Sequence, residues 1–133
     1  MGSGQVWLVL GALFGGAGVV LGAFGAHALR DRLGETALQT WQTAVSYQFV
    51  HALALLAVGI LIRLSSQGGG TDRLLGVAGG GFALGVLLFS GSLYVLALGG
   101  PRWLGPVTPI GGVAFIAGWI AMAVALLRPL SNP

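Results

Sequence analysis

Two imidazoles, His27 and His51, are the side chains best suited to bind a metal or move a proton near neutral pH. The sequence holds 133 residues, only these two His and no Cys. A facing His pair would ligate a b-type haem, and zinc would need three or four ligands. His27 falls near the end of the first apolar run. His51 stands ~15 Å into the second, if a helix starts there near residue 40. The depths do not match and no further ligand is at hand, so neither metal nor cofactor is expected. Nucleophilic catalysis has no better support: Ser90-Gly91-Ser92 is not a G-x-S-x-G elbow, and no carboxylate lies near His51 in sequence. Asp31 and Glu35 interleave with Arg30 and Arg32, a pattern of surface ion pairing. No catalytic residue is expected, and the chain reads as not an enzyme.

The elements that position these residues follow from the charges. Only 7% of the residues are charged, 56% are hydrophobic and the mean hydropathy is +0.93. A soluble domain devotes about a quarter of its residues to charge. The charges sit at Arg30 to Glu35, Arg63, Asp72 with Arg73, Arg102 and Arg128, leaving charge-free windows over 1–29, 36–62, 74–101 and 103–127. Each window exceeds the roughly 20 residues with which an α-helix crosses a bilayer, and charges gather where helices exit. The sequence therefore predicts an all-α integral membrane bundle, a single domain over 1–133, with helices at about 5–28, 38–63, 73–98 and 109–128. Barrel strands would be shorter and would alternate. Ala26-His27-Ala28 imitates a signal-peptide cleavage site, but no Lys or Arg precedes it and the apolar run is long for an h-region. The net charge of +3 comes from six dispersed Arg with no Lys, which suits interfacial anchoring and excludes a nucleic-acid patch.

Orientation is finely balanced. Arg63, Arg73 and Arg128 fall on one side, and Arg30, Arg32 and Arg102 on the other. The N-terminal amine tips the expectation toward both termini being cytoplasmic, in a bacterial inner membrane.

Antiparallel threading brings the 29–37 and 99–109 loops to one membrane face. That end gathers His27, the Arg30, Asp31, Arg32 and Glu35 cluster, Trp41, Gln42, Tyr47, Gln48, Ser90, Ser92, Tyr94 and Thr108, and the site is sought there. Trp41, Ala44, Gln48 and His51 share one helical face at spacings of 3, 4 and 3. Polar groups in lipid turn toward the bundle and find partners. Gln48 and His51 are therefore expected inside, as interhelical glue or as a pocket for a headgroup, a quinone or a proton. Pro109 is expected as the first residue of the last helix, with Thr108 capping it. The 65–71 segment reads as a flexible loop.

Helix association should rest on small residues. Gly11, Gly15, Gly18, Gly22 and Gly25 form a stripe on helix 1, and Gly111, Ala114, Gly118, Ala121 and Ala125 form one on helix 4. Helix 3 carries two GxxxG pairs, Gly76 with Gly80 and Gly81 with Gly85. Such stripes let backbones approach closely. Packing within the bundle is the simpler reading, with a dimer face as the other.

Four blocks carry a family resemblance: Leu21 through Leu29 (LGAFGAHAL), Trp41 through Leu56 (WQTAVSYQFVHALALL), Leu88 through Leu98 (LFSGSLYVLAL) and Gly105 through Trp119 (GPVTPIGGVAFIAGW). Together they resemble the membrane family called domain of unknown function 423, with a eukaryotic relative in transmembrane protein 256. The resemblance implies a small four-span helical protein and supplies no activity. It marks His27, Tyr47, Gln48, His51, Ser90, Ser92, Tyr94, Pro106, Thr108 and Pro109, the same polar end. The expected role is a non-enzymatic binding, scaffold or accessory subunit. Its partners would be the lipid bilayer, with a membrane protein or a second copy. An oligomeric transport protein is the alternative, and a haem- or quinone-binding redox component comes third.

Overall fold

A computed structural model describes residues 2–65 and 69–128. Helix α1 spans Ser3–His27 and α2 spans Glu35–Leu64. The third span opens as α3, Gly70–Gly85, widens into a π-helical turn at Val86–Ser90, and closes as α4, Gly91–Ala97. A 3₁₀ turn at Arg102–Leu104 leads into α5, Val107–Leu127. Four helical segments, Gly4–His27, Glu35–Leu64, Gly70–Ala97 and Arg102–Leu127, are long and apolar enough to cross a membrane. No strand occurs among the described residues. The expected 65–71 loop falls in part, at 66–68, outside them.

Helix α2 begins at Glu35, ahead of the expected residue 38, because Gly34 takes an extended conformation and a first-turn carboxylate complements the helix dipole. Its 30 residues make a rod of about 45 Å. Helix α4 is closed two residues past Ala97 by Gly99, whose φ of 87° is the left-handed conformation that glycine adopts without strain. The Gly99 N–H donates to Leu96 O at 3.0 Å and the Gly100 N–H to Val95 O at 2.9 Å, a Schellman ending. The last helix differs from expectation. Pro106 precedes it, Pro109 is its third residue, and Thr108 makes no capping bond. Proline is tolerated throughout a first turn, where the N–H it lacks has no helical acceptor. The Thr108 hydroxyl is thereby free to turn toward α4.

Two hairpins build the bundle. Helix α1 lies along α2, and α5 lies along α3 and the π turn. They join where α2 meets α3, the π turn and α4. The core runs through Leu55, Val58, Leu75, Phe82 and Phe115, so α2, α3 and α5 supply it. Helix α1 contributes only partly buried Trp7, Leu10 and Phe14.

Glycine sets these approaches. A Cβ at Gly4 would lie 2.8 Å from Gly59 O, and one at Gly11 would lie 2.8 Å from Ala52 O. Gly18 rests against Phe49, Gly22 against Val45 and Gly25 against Trp41. Gly4, Gly11, Gly18 and Gly25 repeat every seven residues, the period of a left-handed crossing. Gly15, expected in the stripe, lies on its flank with nothing within 4 Å of a Cβ. Gly81 and Gly118 face each other across α3 and α5, and Gly111 sits on the backbone of Leu88 and Phe89 in the π turn. Of the two expected GxxxG pairs, Gly81 and Gly85 meet α5, whereas Gly76 and Gly80 are open.

Candidate functional site

The polar side chains form a ladder from one membrane face to the bilayer midplane. At the outer rung, buried Trp41 donates from Nε1 to Leu21 O at 2.9 Å. Its ring tilts against Tyr94, with centroids 4.7 Å apart. Gln48 is the next rung. Its Nε2 donates to Phe14 O on α1 at 2.8 Å, and its Oε1 accepts from the Tyr94 hydroxyl on α4 at 2.7 Å. One amide thus ties three helices. Both carbonyls reached on α1 lie four residues before a glycine, Leu21 before Gly25 and Phe14 before Gly18. A helical carbonyl points toward residue i+4, so a missing side chain there uncovers its second lone pair.

The π turn aims the serines. Ser90, fully buried, donates to Ala44 O on α2 at 2.7 Å. Ser92 donates to Phe89 O at 3.0 Å. Its single proton being used, Ser92 Oγ accepts from Thr108 Oγ1 at 2.5 Å, which fastens α4 to α5.

His51 is the innermost rung, near the middle of the α2 rod. Nδ1 lies 2.7 Å from Tyr47 O, a pure acceptor, so Nδ1 carries the proton. Nε2 then accepts from Trp119 Nε1–H at 3.0 Å. Both ring nitrogens are satisfied in one neutral tautomer. The ring lies on Phe115 with centroids 3.6 Å apart and 13° between planes, and Phe82 flanks it. Tyr47 is 45% exposed, its ring against Phe89.

His27 does not join this group. It is exposed in the last turn of α1 and enters none of these bonds. With Gly25 seated on Trp41, antiparallel register puts His27 opposite residue 39, about 18 Å along the axis from His51. The His51 lone pair is already engaged by Trp119, and the two imidazoles of one chain stand too far apart in depth to ligate one haem. Among the described residues no three of His, Asp and Glu gather as metal ligands. No buried side-chain nitrogen or oxygen there lacks a partner.

Sequence reasoning missed Trp119. The signal was present: an indole N–H at mid-helix, far from either interface, needs an acceptor in the bundle. Also unforeseen is a groove of about 350 Å³ between α1 and α2 at the polar end. Gly22, Gly25 and Ala26 line it on one side, and Trp41, Gln42, Val45 and Ser46 on the other. Gln42 and Ser46 are exposed and make no side-chain hydrogen bond among the described residues.

Fold and site together define a small polytopic membrane protein with an internally bonded polar ladder. The chain belongs to the family described as Protein of unknown function (DUF423), whose profile matches residues 21–112. It is 43% identical to a UPF0382 membrane protein of Staphylococcus epidermidis over 93% of this chain and 97% of that one. It is 43% identical to the UPF0382 membrane protein YwdK of Bacillus subtilis, covering 95% and 99% of the two chains. To the UPF0382 inner membrane protein YgdD of Escherichia coli K12 it is 42% identical, covering 91% and 88%. No solved structure matches the chain.

Proposed function

We propose that this protein is a non-enzymatic binding subunit of the inner membrane, whose polar ladder holds the bundle rigid and whose contact surface is the outward flank of α2 at the polar end. The inner-membrane location follows the name of the Escherichia coli relative. One observation carries the reading: Gln42 and Ser46 are exposed beside the α1/α2 groove with no hydrogen-bond partner among the described residues. Polar side chains at this depth in lipid turn inward or meet something. The ladder residues have no such spare valence, since the hydroxyls of Ser90 and Ser92 and the ring of His51 are committed to neighbouring helices. That leaves them to structure and argues against catalytic or redox work. A pore within one chain is disfavoured by Phe82, Leu55 and Val58, which fill the bundle axis.

The test is photocrosslinking in native membranes, with the crosslinker at Ser46 or at Leu53, an apolar position 67% exposed two turns deeper on α2. A discrete adduct from position 46 and none from position 53 is expected. Equal, diffuse labelling at both would overturn the reading.

A further inference from the structure

We propose that the α1/α2 groove is a binding site for one glycerophospholipid, with the glycerol–ester region against Gln42, the upper acyl chain past Ser46 and the phosphodiester on Arg30 and Arg32. The proposal rests on the binding role assigned above and names the occupant. Three observations converge on it. The groove volume, about 350 Å³, falls in the range of small-molecule sites, and its floor consists of residues with little or no side chain, Gly22, Gly25 and Ala26. Its remaining wall offers two neutral hydrogen-bonding groups. Gln42 and Ser46 are four residues apart on α2, so both face the groove, and each has a free donor among the described residues.

Depth decides what those donors meet. The α2 rod of about 45 Å matches the full bilayer including its headgroup layers, so Glu35 and Arg63 sit at the two surfaces. Gln42 then lies about 10 Å and Ser46 about 16 Å below the Glu35 surface. The headgroup layer takes about 7 Å of that depth, so Gln42 lies ~3 Å inside the hydrocarbon boundary, from where its side chain reaches the ester carbonyls, and Ser46 lies ~9 Å inside, beside the first chain carbons. Ester oxygens accept hydrogen bonds and carry none to donate, which complements the Gln42 amide.

Charge complementarity completes the site. The groove runs out between Ala26 and Trp41, and the 28–34 loop joins the two helices directly above it. That loop presents exposed Arg30 and Arg32, with Asp31 between them, and Glu35 follows. His27 is exposed at the same end, and Arg102 stands in the neighbouring loop. The two guanidiniums suit a phosphodiester. The two carboxylates suit the ammonium of a zwitterionic headgroup and work against a purely anionic one.

Native mass spectrometry of the detergent-released protein, with phosphatidylethanolamine and phosphatidylglycerol added at equal concentration, tests this. One phospholipid retained per chain is expected. Ala26→Leu fills the groove from an exposed position, and the pair Gln42→Leu with Ser46→Ala removes its donors. Each should reduce retention at least ten-fold at an unchanged melting temperature. Arg30→Gln with Arg32→Gln should do the same. Preference for phosphatidylethanolamine places the ammonium on Asp31 and Glu35, whereas equal retention leaves the phosphodiester as the recognised group. Wild type without lipid, or lipid held equally by all variants, overturns the proposal. A protein adduct from position 46 with no bound lipid also overturns it while leaving the binding role intact.

Discussion

His51 shows how a titratable side chain can be held inside the bundle with both ring nitrogens bonded. Nδ1 donates to the helix carbonyl of Tyr47, and Nε2 accepts from Trp119, so removing the indole N–H leaves a buried acceptor unmet. Trp119→Phe should therefore destabilise the protein by about 1–2 kcal/mol, toward the upper end for interhelical bonds in membranes. A double-mutant cycle with His51→Phe, read by unfolding in mixed micelles, should give a coupling of at least ~0.6 kcal/mol. Additive losses would mean the bond contributes nothing. The Gln48 amide makes a sharper case, because it serves two helices at once. Gln48→Leu leaves the Tyr94 hydroxyl without its acceptor, whereas Tyr94→Phe leaves Gln48 still bonded to Phe14. The first should cost more than the second in the same assay, and the reverse order would show that the amide's two bonds do not stabilise the bundle as described.

At the scale of elements, glycine position rather than glycine content decides what a helix can do. Gly11→Ala pushes a methyl to 2.8 Å from Ala52 O, and Gly81→Ala pushes one to 2.7 Å from Ala114 O. Backbone cannot yield as a side-chain tip can, so both should lower the melting temperature in detergent, by an amount typical of an overpacked core, about 1–3 kcal/mol. Gly15→Ala and Gly76→Ala meet nothing within 4 Å and should be neutral or stabilising, since alanine favours helix by up to ~1 kcal/mol. Equal losses at all four positions would contradict the seams described. The same contrast marks what the sequence could reveal. The four spans were legible because charge is confined to helix exits, and His51 and Gln48 could be turned inward by their shared face with Trp41. The exact seam was not, because a stripe spaced 4 and 3 is compatible with several crossings, and only the partner helix shows that Gly11 and Gly18 touch while Gly15 does not. The π turn was hidden for a related reason. Nothing in Val86–Ser90 demands it locally, and Gly111 of α5 meets its backbone at Leu88 and Phe89. Thr108 was read as a cap because a threonine before a proline suits that role, yet the chain enters the helix two residues sooner and spends the hydroxyl on Ser92.

The whole molecule has two hairpins, a core between α2, α3 and α5, and an α1 that joins mainly through a glycine seam. Its outer surface is largely apolar, with Val20, Leu53, Leu87 and Ile120 each at least 60% exposed, and is interrupted at Gln42 and Ser46. Such a body has no preferred direction of insertion from its apolar surface alone. The choice falls to the residues at the two ends, where Arg63, Arg73 and Arg128 oppose Arg30, Arg32 and Arg102. Positive charge near span ends is retained on the cytoplasmic side, and each added Lys in a short loop shifts that balance. With the Arg tally even, two charges should suffice to decide it. Gln67→Lys with Gly68→Lys should raise the signal of a C-terminal fluorescent reporter that matures only in the cytoplasm, because with four spans the connection between the second and third lies on the same side as the end of the fourth. Thr36→Lys with Gln39→Lys, both exposed near the opposite loop, should lower it. If neither pair moves the signal, orientation is set by something other than charge, and a partner held during insertion becomes the explanation to test.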